Sequence, residues 1–248
     1  MKRISLFLVA LVLAVPGLPA LAEEGATVLV TGANRGIGLE YARQFSAKGY
    51  TVIGTARRPE AAEELAAVAD RVEQLDVADA ASVAALAERL EGVSIDILIN
   101  NAGILDRNEL TIDTVNYASM ERAYQVNTVG PLRVTQALLP NVRAGDRKLL
   151  VSMSSQLGSI ERSKGRYYSY RASKAALNMI NSIWAAEFGP EGITCTVLHP
   201  GWVRTRMGGS SAPFTPQQSV RGMLAIVDRF EPRMSGDFFR FDGIPMPW

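Results

Sequence analysis

The sequence has little of what several kinds of site chemistry require. In 248 residues there is one cysteine, Cys195, and one histidine, His199. A lone cysteine leaves no internal disulfide, and within Ile193-Thr194-Cys195-Thr196-Val197-Leu198 it reads as a small buried hydrophobe. A lone histidine directly before Pro200, with no Gly-x-Ser-x-Gly elbow in the chain, argues against a histidine-dependent hydrolase. No cluster of cysteine, histidine and acids offers a metal site. Charge of one sign is missing as well: 26 Lys+Arg against 25 Asp+Glu leave a formal charge of +1. With no basic run beyond pairs such as Arg57-Arg58, nothing points to a nucleic-acid partner.

Long apolar runs are also scarce, and the one at the amino terminus has a shape of its own. Lys2-Arg3 precede apolar residues 4–15, then Pro16-Gly17-Leu18-Pro19 and Ala20-Leu21-Ala22. A positive start, a short apolar stretch and a small-x-small site predict a secretory signal over 1–22, the run being too short for a comfortable span. The remainder, 23–248, is then a single domain with no stable membrane span after cleavage and a periplasmic or secreted location. A cytoplasmic or membrane-anchored protein is the alternative.

From residue 26 onward, apolar runs alternate with helical periodicity, which predicts an α/β fold: a doubly wound, mostly parallel sheet of about seven strands with helices on both faces. Residues 26–30 form the first strand and enter Thr31-Gly32-Ala33-Asn34-Arg35-Gly36-Ile37-Gly38, followed by a helix over 39–48. A glycine-rich turn between strand and helix lets backbone N–H groups approach a phosphate, so this reads as a pyrophosphate cradle. The second strand ends in Ala56-Arg57-Arg58 with no acid. An acid there would accept from a ribose 2′-OH, whereas arginine suits a 2′-phosphate, so NADP(H) is favoured, with NAD(H) as the second option. Further strands end at Asp76-Val77 and at Asn100-Asn101-Ala102-Gly103. Helices are expected over 61–69, 80–90 and 120–141, the last carrying Asn127.

The helix expected over 167–188 carries Tyr170 and Lys174, which at i and i+4 share one face. A cation beside a phenol favours phenolate, so Lys174 is expected to lower the Tyr170 pKa and make it a useful general acid or base. Such a pair can protonate a carbonyl oxygen or deprotonate an alcohol.

Taken in order, Thr31-Gly32-x-x-x-Gly36-x-Gly38, Asp76-Val77, Asn100-Asn101-Ala102-Gly103, Asn127, Ser155, Tyr170-x-x-x-Lys174 and Pro200-Gly201-x-x-x-Thr205 resemble the short-chain dehydrogenase/reductase family over nearly the whole mature chain. Residues 153–160, 198–203 and the terminal Asp242-Gly243 to Trp248 are similar to its carbonyl reductases of the Sniffer and C-factor type.

The resemblance implies a Rossmann-type domain and an NADP(H)-dependent oxidoreductase that interconverts a small ketone or aldehyde and an alcohol. Gly32, Asn34, Arg35, Gly36, Ile37 and Gly38 would hold the cofactor phosphates, Asp76 and Val77 the adenine, and Asn101, Ala102 and Gly103 the pocket. Pro200, Gly201, Val203 and Thr205 would border the nicotinamide. Ser155 would bond the carbonyl, Tyr170 move the proton, Lys174 hold the ribose, and Asn127 anchor a water. The family's serine-to-tyrosine spacing reaches Tyr168 from Ser155, so Tyr170 requires a two-residue insertion in 160–166; Ser154 and Ser159 are minor candidates for the serine. The resemblance also implies a homodimer or homotetramer. A catalytically idle cofactor-binding sensor or partner-binding protein is the competing reading.

Overall fold

The computed structural model describes residues 25–248; the expected leader lies outside the described residues. The apolar runs become seven strands: β1 (Thr27–Val30), β2 (Thr51–Ala56), β3 (Arg71–Gln74), β4 (Ile97–Asn100), β5 (Leu149–Met153), β6 (Thr194–His199) and β7 (Phe238–Arg240). They form one sheet in the order β3-β2-β1-β4-β5-β6-β7, and every pairing is parallel.

Alternation along each strand decides which helices it meets. Val28, Val30, Ile97, Ile99, Leu149 and Val151 pack with residues of α1 (Gly36–Ala47) and α7 (Pro216–Asp228). Leu29, Leu98 and Leu150 pack on the other face with residues of α3 (Ala80–Arg89), α5 (Gly130–Ala144) and α6 (Tyr168–Phe188). Because the chain passes from β3 at one edge back to β4 beside β1, a crevice opens between the carboxyl ends of β1 and β4. Among the described residues no helix is long and apolar enough to cross a membrane.

Two expected helices differ. The helix expected over 61–69 is a 3-10 turn, Pro59–Ala61, followed by the single-turn α2, Glu63–Ala66. Leu65 plugs the space left by Gly54, and the chain must then return at once to β3, where Asp70 N–H donates to the Val52 carbonyl at 3.0 Å. The long helix expected over 120–141 is divided into α4 (Tyr117–Tyr124), a π-helical stretch Gln125–Val129, and α5. Pro131 has no N–H to offer the Asn127 carbonyl four residues back, and Gly130 N–H donates instead to Gln125, five residues back.

At the opposite end of the sheet from the crevice, Asp96 holds three chain segments together. Its carboxylate accepts from Thr27 N–H at 2.7 Å, Asp146 N–H at 2.7 Å and Arg147 N–H at 3.2 Å. Asp96→Ala leaves these donors without their acceptor and should lower the unfolding free energy by roughly 2–4 kcal/mol. Urea unfolding of the two proteins measures this, and a change within experimental error would mean water takes over the role.

Candidate active site

The turn after β1 and the segment after β4 meet at the crevice. Thr31 Oγ1 accepts from Asn101 N–H at 2.9 Å and Ala102 N–H at 3.1 Å, while Asn101 Nδ2 donates to the Thr31 carbonyl at 2.8 Å. A Cβ at Gly38 would lie 2.5 Å from both Asn101 Nδ2 and the Gly32 carbonyl oxygen, so this position admits only glycine. Helix α1 starts here with no side-chain cap, leaving first-turn N–H groups free for an anion.

These residues line a cleft of about 1040 Å³ that runs from Arg57, Arg58, Asp76 and Val77 past Gly32, Asn34, Arg35, Gly36, Ile37 and Gly38 to Asn101, Ala102, Gly103, Tyr170 and Lys174. The free helix start, the glycine that brings backbone close, and arginine in place of an acid after β2 fit a dinucleotide. Asp76 Oδ1 accepts from Ala78 N–H at 3.0 Å, which fixes the turn after β3. Pro200 and Thr205 also reach the cleft. Gly201 and Val203 do not line it: Gly201 backs onto Phe241 and Phe214, and Val203 is buried and bridges to Phe214.

Tyr170 and Lys174 leave the sheet-facing side of α6, both buried, with Lys174 Nζ 5.9 Å from the centre of the Tyr170 ring. Lys174 Nζ donates to the Met153 carbonyl at 2.7 Å, tying α6 to the end of β5. Burial pushes the lysine down to about 7. The phenol moves opposite to the sequence expectation: burial pushes it up to about 12, and the Ser155 hydroxyl holds it down in part, with no lowering from Lys174. The lysine is itself desolvated and 5.9 Å from the ring, so its charge is weakly expressed where it would have to act.

Ser155 is buried beside the phenol, its Oγ accepting from Leu157 N–H at 3.1 Å. Ser154 lines the cleft, and its buried Oγ has no protein partner; Ser159 Oγ donates to the Trp248 carbonyl at 3.2 Å. Tyr168 is exposed and does not line the cleft, whereas Tyr170 does.

Asn127 lies in the π-helical stretch, fully buried. Its Oδ1 accepts from Ile104 N–H at 2.8 Å, and its Nδ2 donates to the Ile104 carbonyl at 2.9 Å and to Ser173 Oγ at 3.0 Å. The side chain therefore clamps the segment after β4 onto α6. Gly103 sits inside this clamp, where a Cβ would be 3.3 Å from Asn127 Oδ1 and 3.6 Å from Lys174 Nζ.

Sequence reasoning missed Glu109. It is fully buried, its carboxylate accepts from Ser169 N–H at 2.7 Å and also from Ser169 Oγ, and its carbonyl accepts from Tyr167 N–H. This side chain caps the start of α6 one residue before Tyr170. Its setting, Asp106-Arg107-Asn108-Glu109, reads as a solvated loop and carries no sign of burial.

The short-chain dehydrogenase family profile matches residues 26–215, so the chain belongs to the short-chain dehydrogenase/reductase family. It is an oxidoreductase of that family, of the kind that acts on carbonyl and alcohol groups. C-signal of Myxococcus xanthus is 43% identical over 155 residues, 62% of this chain and 93% of that protein. The NADPH-bound carbonyl reductase from chicken fatty liver is 36% identical with a TM-score of 0.83, over 91% of this chain and 100% of that one. The carbonyl reductase Sniffer of D. melanogaster is 30% identical with a TM-score of 0.85, over the same shares.

The buried lysine makes stability depend on pH in a definite window. Its folded pKa of about 7 lies below the ordinary lysine value near 10.5, so between these the unfolded chain binds more protons and stability rises with pH. His199, pushed down to about 4 by burial, acts only below about 6.5, and Cys195, pushed up to about 12, acts only above about 9. Between about pH 7 and 9 the melting temperature of the cofactor-free protein should climb, and Lys174→Met should flatten the climb. An equal slope in both proteins would show that the lysine is not the source.

Proposed function

We propose that the protein is an NADP(H)-preferring reductase of ketones or aldehydes, working in either direction, with Tyr170 as the proton donor and acceptor. The observation that carries this reading is the buried constellation at one end of the cleft: the Tyr170 phenol against Ser155, with Lys174 and the Asn127 clamp behind it. When bound, the cofactor supplies or accepts the hydride.

The chain supplies orientation and the proton. The Tyr170 hydroxyl, with Ser155 near enough to hold its pKa down in part, would donate to the carbonyl oxygen, which stabilises charge as it develops there. Tyr170 then gives up its proton to that oxygen. A phenol held near 12 keeps its proton at neutral pH, which suits the reductive direction; removing an alcohol's proton needs phenolate, which a protonated Lys174 favours. The Asn127 carbonyl, deprived by Pro131 of its ordinary helical donor, is free to hold the water expected of it. That every member of the set is present and buried together speaks against an idle binding protein.

Tyr170→Phe should lower kcat for reduction of an aldehyde by about 100- to 10,000-fold while NADPH still binds. Single-turnover absorbance at the nicotinamide band gives the rate, and calorimetry the binding. Activity retained in Tyr170→Phe but lost in Tyr168→Phe would move the insertion and remove the mechanism.

The cofactor preference rests on the end of β2. Ala56 stands where an acid would select NADH, and Arg35 and Arg57 line the cleft with no carboxylate partner among the described residues. The acid nearest in sequence on the cleft wall, Glu64, is taken by Arg43 at 2.6 Å. Charge-assisted bonds to one phosphate, roughly 1.5–3 kcal/mol, should give NADPH a preference of about tenfold or more over NADH, most of it lost in Arg57→Ala. Equal dissociation constants in the wild type would count against the assignment.

A further inference from the structure

The cleft that holds Tyr170 is also lined by arginines outside the glycine-rich turn. Arg107, Arg204 and Arg206 line it, and none of them pairs with a carboxylate among the described residues. Arg107 leads out from the Asn127 clamp, and its guanidinium donates to the Met207 carbonyl, so it reaches across from the segment after β4 to the loop after β6. That same loop touches the other wall, where a Cβ at Gly36 would lie 3.4 Å from Thr205 Cγ2. The arginines therefore lie on two segments, after β4 and after β6, that meet across the cleft that also holds the phenol, and this meeting point forms a mouth of that cleft.

None of the acids on or beside the cleft forms an ion pair with them among the described residues. Glu40 accepts from Gln44 at 2.7 Å and Gln217 at 3.0 Å, and Glu64 pairs with Arg43. Asp106, next to Arg107 in sequence, accepts from Ser119 Oγ at 2.6 Å and Asn108 N–H at 2.9 Å. A bound dinucleotide would be held by the free start of α1, Arg35 and Arg57. The three mouth arginines are left over, next to the apolar walls of Ile104, Leu105 and Met207.

We propose that this mouth selects carbonyl substrates that pair an apolar body with a carboxylate, the anion being held by Arg107 together with Arg204 and Arg206. A guanidinium is always charged and matches a carboxylate with two parallel N–H donors. Arg107 can exchange its single bond to a backbone carbonyl for that bidentate pair, which frees the 204–209 loop as the substrate enters. The inference rests on the reductase reading of the same site and adds the class of substrate to it.

The test compares 4-carboxybenzaldehyde with its methyl ester, which has nearly the same shape, no charge and the more electrophilic carbonyl, so that a preference for the acid runs against intrinsic reactivity. With NADPH, the wild type should favour the acid in kcat/KM by about tenfold, and the ratio should shrink in about 0.5 M salt. In Arg107→Gln combined with Arg204→Gln the ratio should fall toward one while the dissociation constant of NADPH holds. A wild type that treats acid and ester alike overturns the proposal. So does a double variant that loses NADPH affinity with its ratio intact, since the arginines would then serve the cofactor.

If neither aldehyde is reduced, the reductase reading fails by itself, and calorimetry of benzoate against benzamide on the NADPH-loaded protein decides the anion site. Preference for benzoate that disappears in the double variant upholds it; equal binding overturns it.

Discussion

The constraint on which the site depends is the knot between the turn after β1 and the segment after β4. Thr31 and Asn101 exchange backbone and side-chain hydrogen bonds there, and the fit is tight enough that Gly38 has no room for a methyl group. A parallel sheet places both chain ends at the same edge but does not say how closely they approach. The knot does. It fixes the start of α1, which has no side-chain cap, against residues 101–103, which lead directly to Lys174 and Asn127. A shift at this junction would therefore move the phosphate cradle and the proton-transfer end of the cleft relative to one another.

Helix α6 is held to this frame by bonds at its amino end. Lys174 reaches Met153 at the end of β5, Ser173 meets Asn127, and Glu109 caps the first turn. The same burial that positions Tyr170 and Lys174 opposes charge on either of them. A phenol raised to about 12 and an ammonium lowered to about 7 are both displaced toward their neutral forms, so the pair has not yet the polarisation that its spacing alone suggests. Geometry is provided in advance, whereas the charge state has to come from what enters the cleft.

That division explains what could be read from the sequence. Strand and helix positions, the glycine-rich turn and the one-turn spacing of Tyr170 and Lys174 follow from local periodicity, and the structure brings those residues together. The family spacing left Tyr168 in contention, the one-turn spacing to Lys174 favoured Tyr170, and Tyr170 rather than the exposed Tyr168 lines the cleft. The break in the expected helix over 120–141 had a visible signal, Pro131 placed four residues after Asn127, because a missing N–H must leave one carbonyl without its donor. Glu109 had none, since its burial depends on where a loop folds back onto α6. The pKa of Tyr170 was misjudged for a related reason: desolvation is a property of everything packed around a group, and a spacing of four along a helix reports only one neighbour.

The mobile charge in the site therefore has an identifiable source. On the proposed reading, phosphates at α1, Arg35 and Arg57 would bring negative charge to a cleft whose lining arginines, apart from Arg43, have no carboxylate partner among the described residues. A negative field in this low-dielectric space favours the charged form of Lys174, and a charged Lys174 in turn favours phenolate. The two steps act in opposite senses on the two residues but along one chain of cause, from phosphate to lysine to phenol. On the proposed reading Lys174 would couple binding to proton transfer, because it is buried beside Tyr170 and its pKa is brought down to about 7. An arginine at that position would hold its charge throughout, and the site would lose the means of matching its protonation to its occupancy.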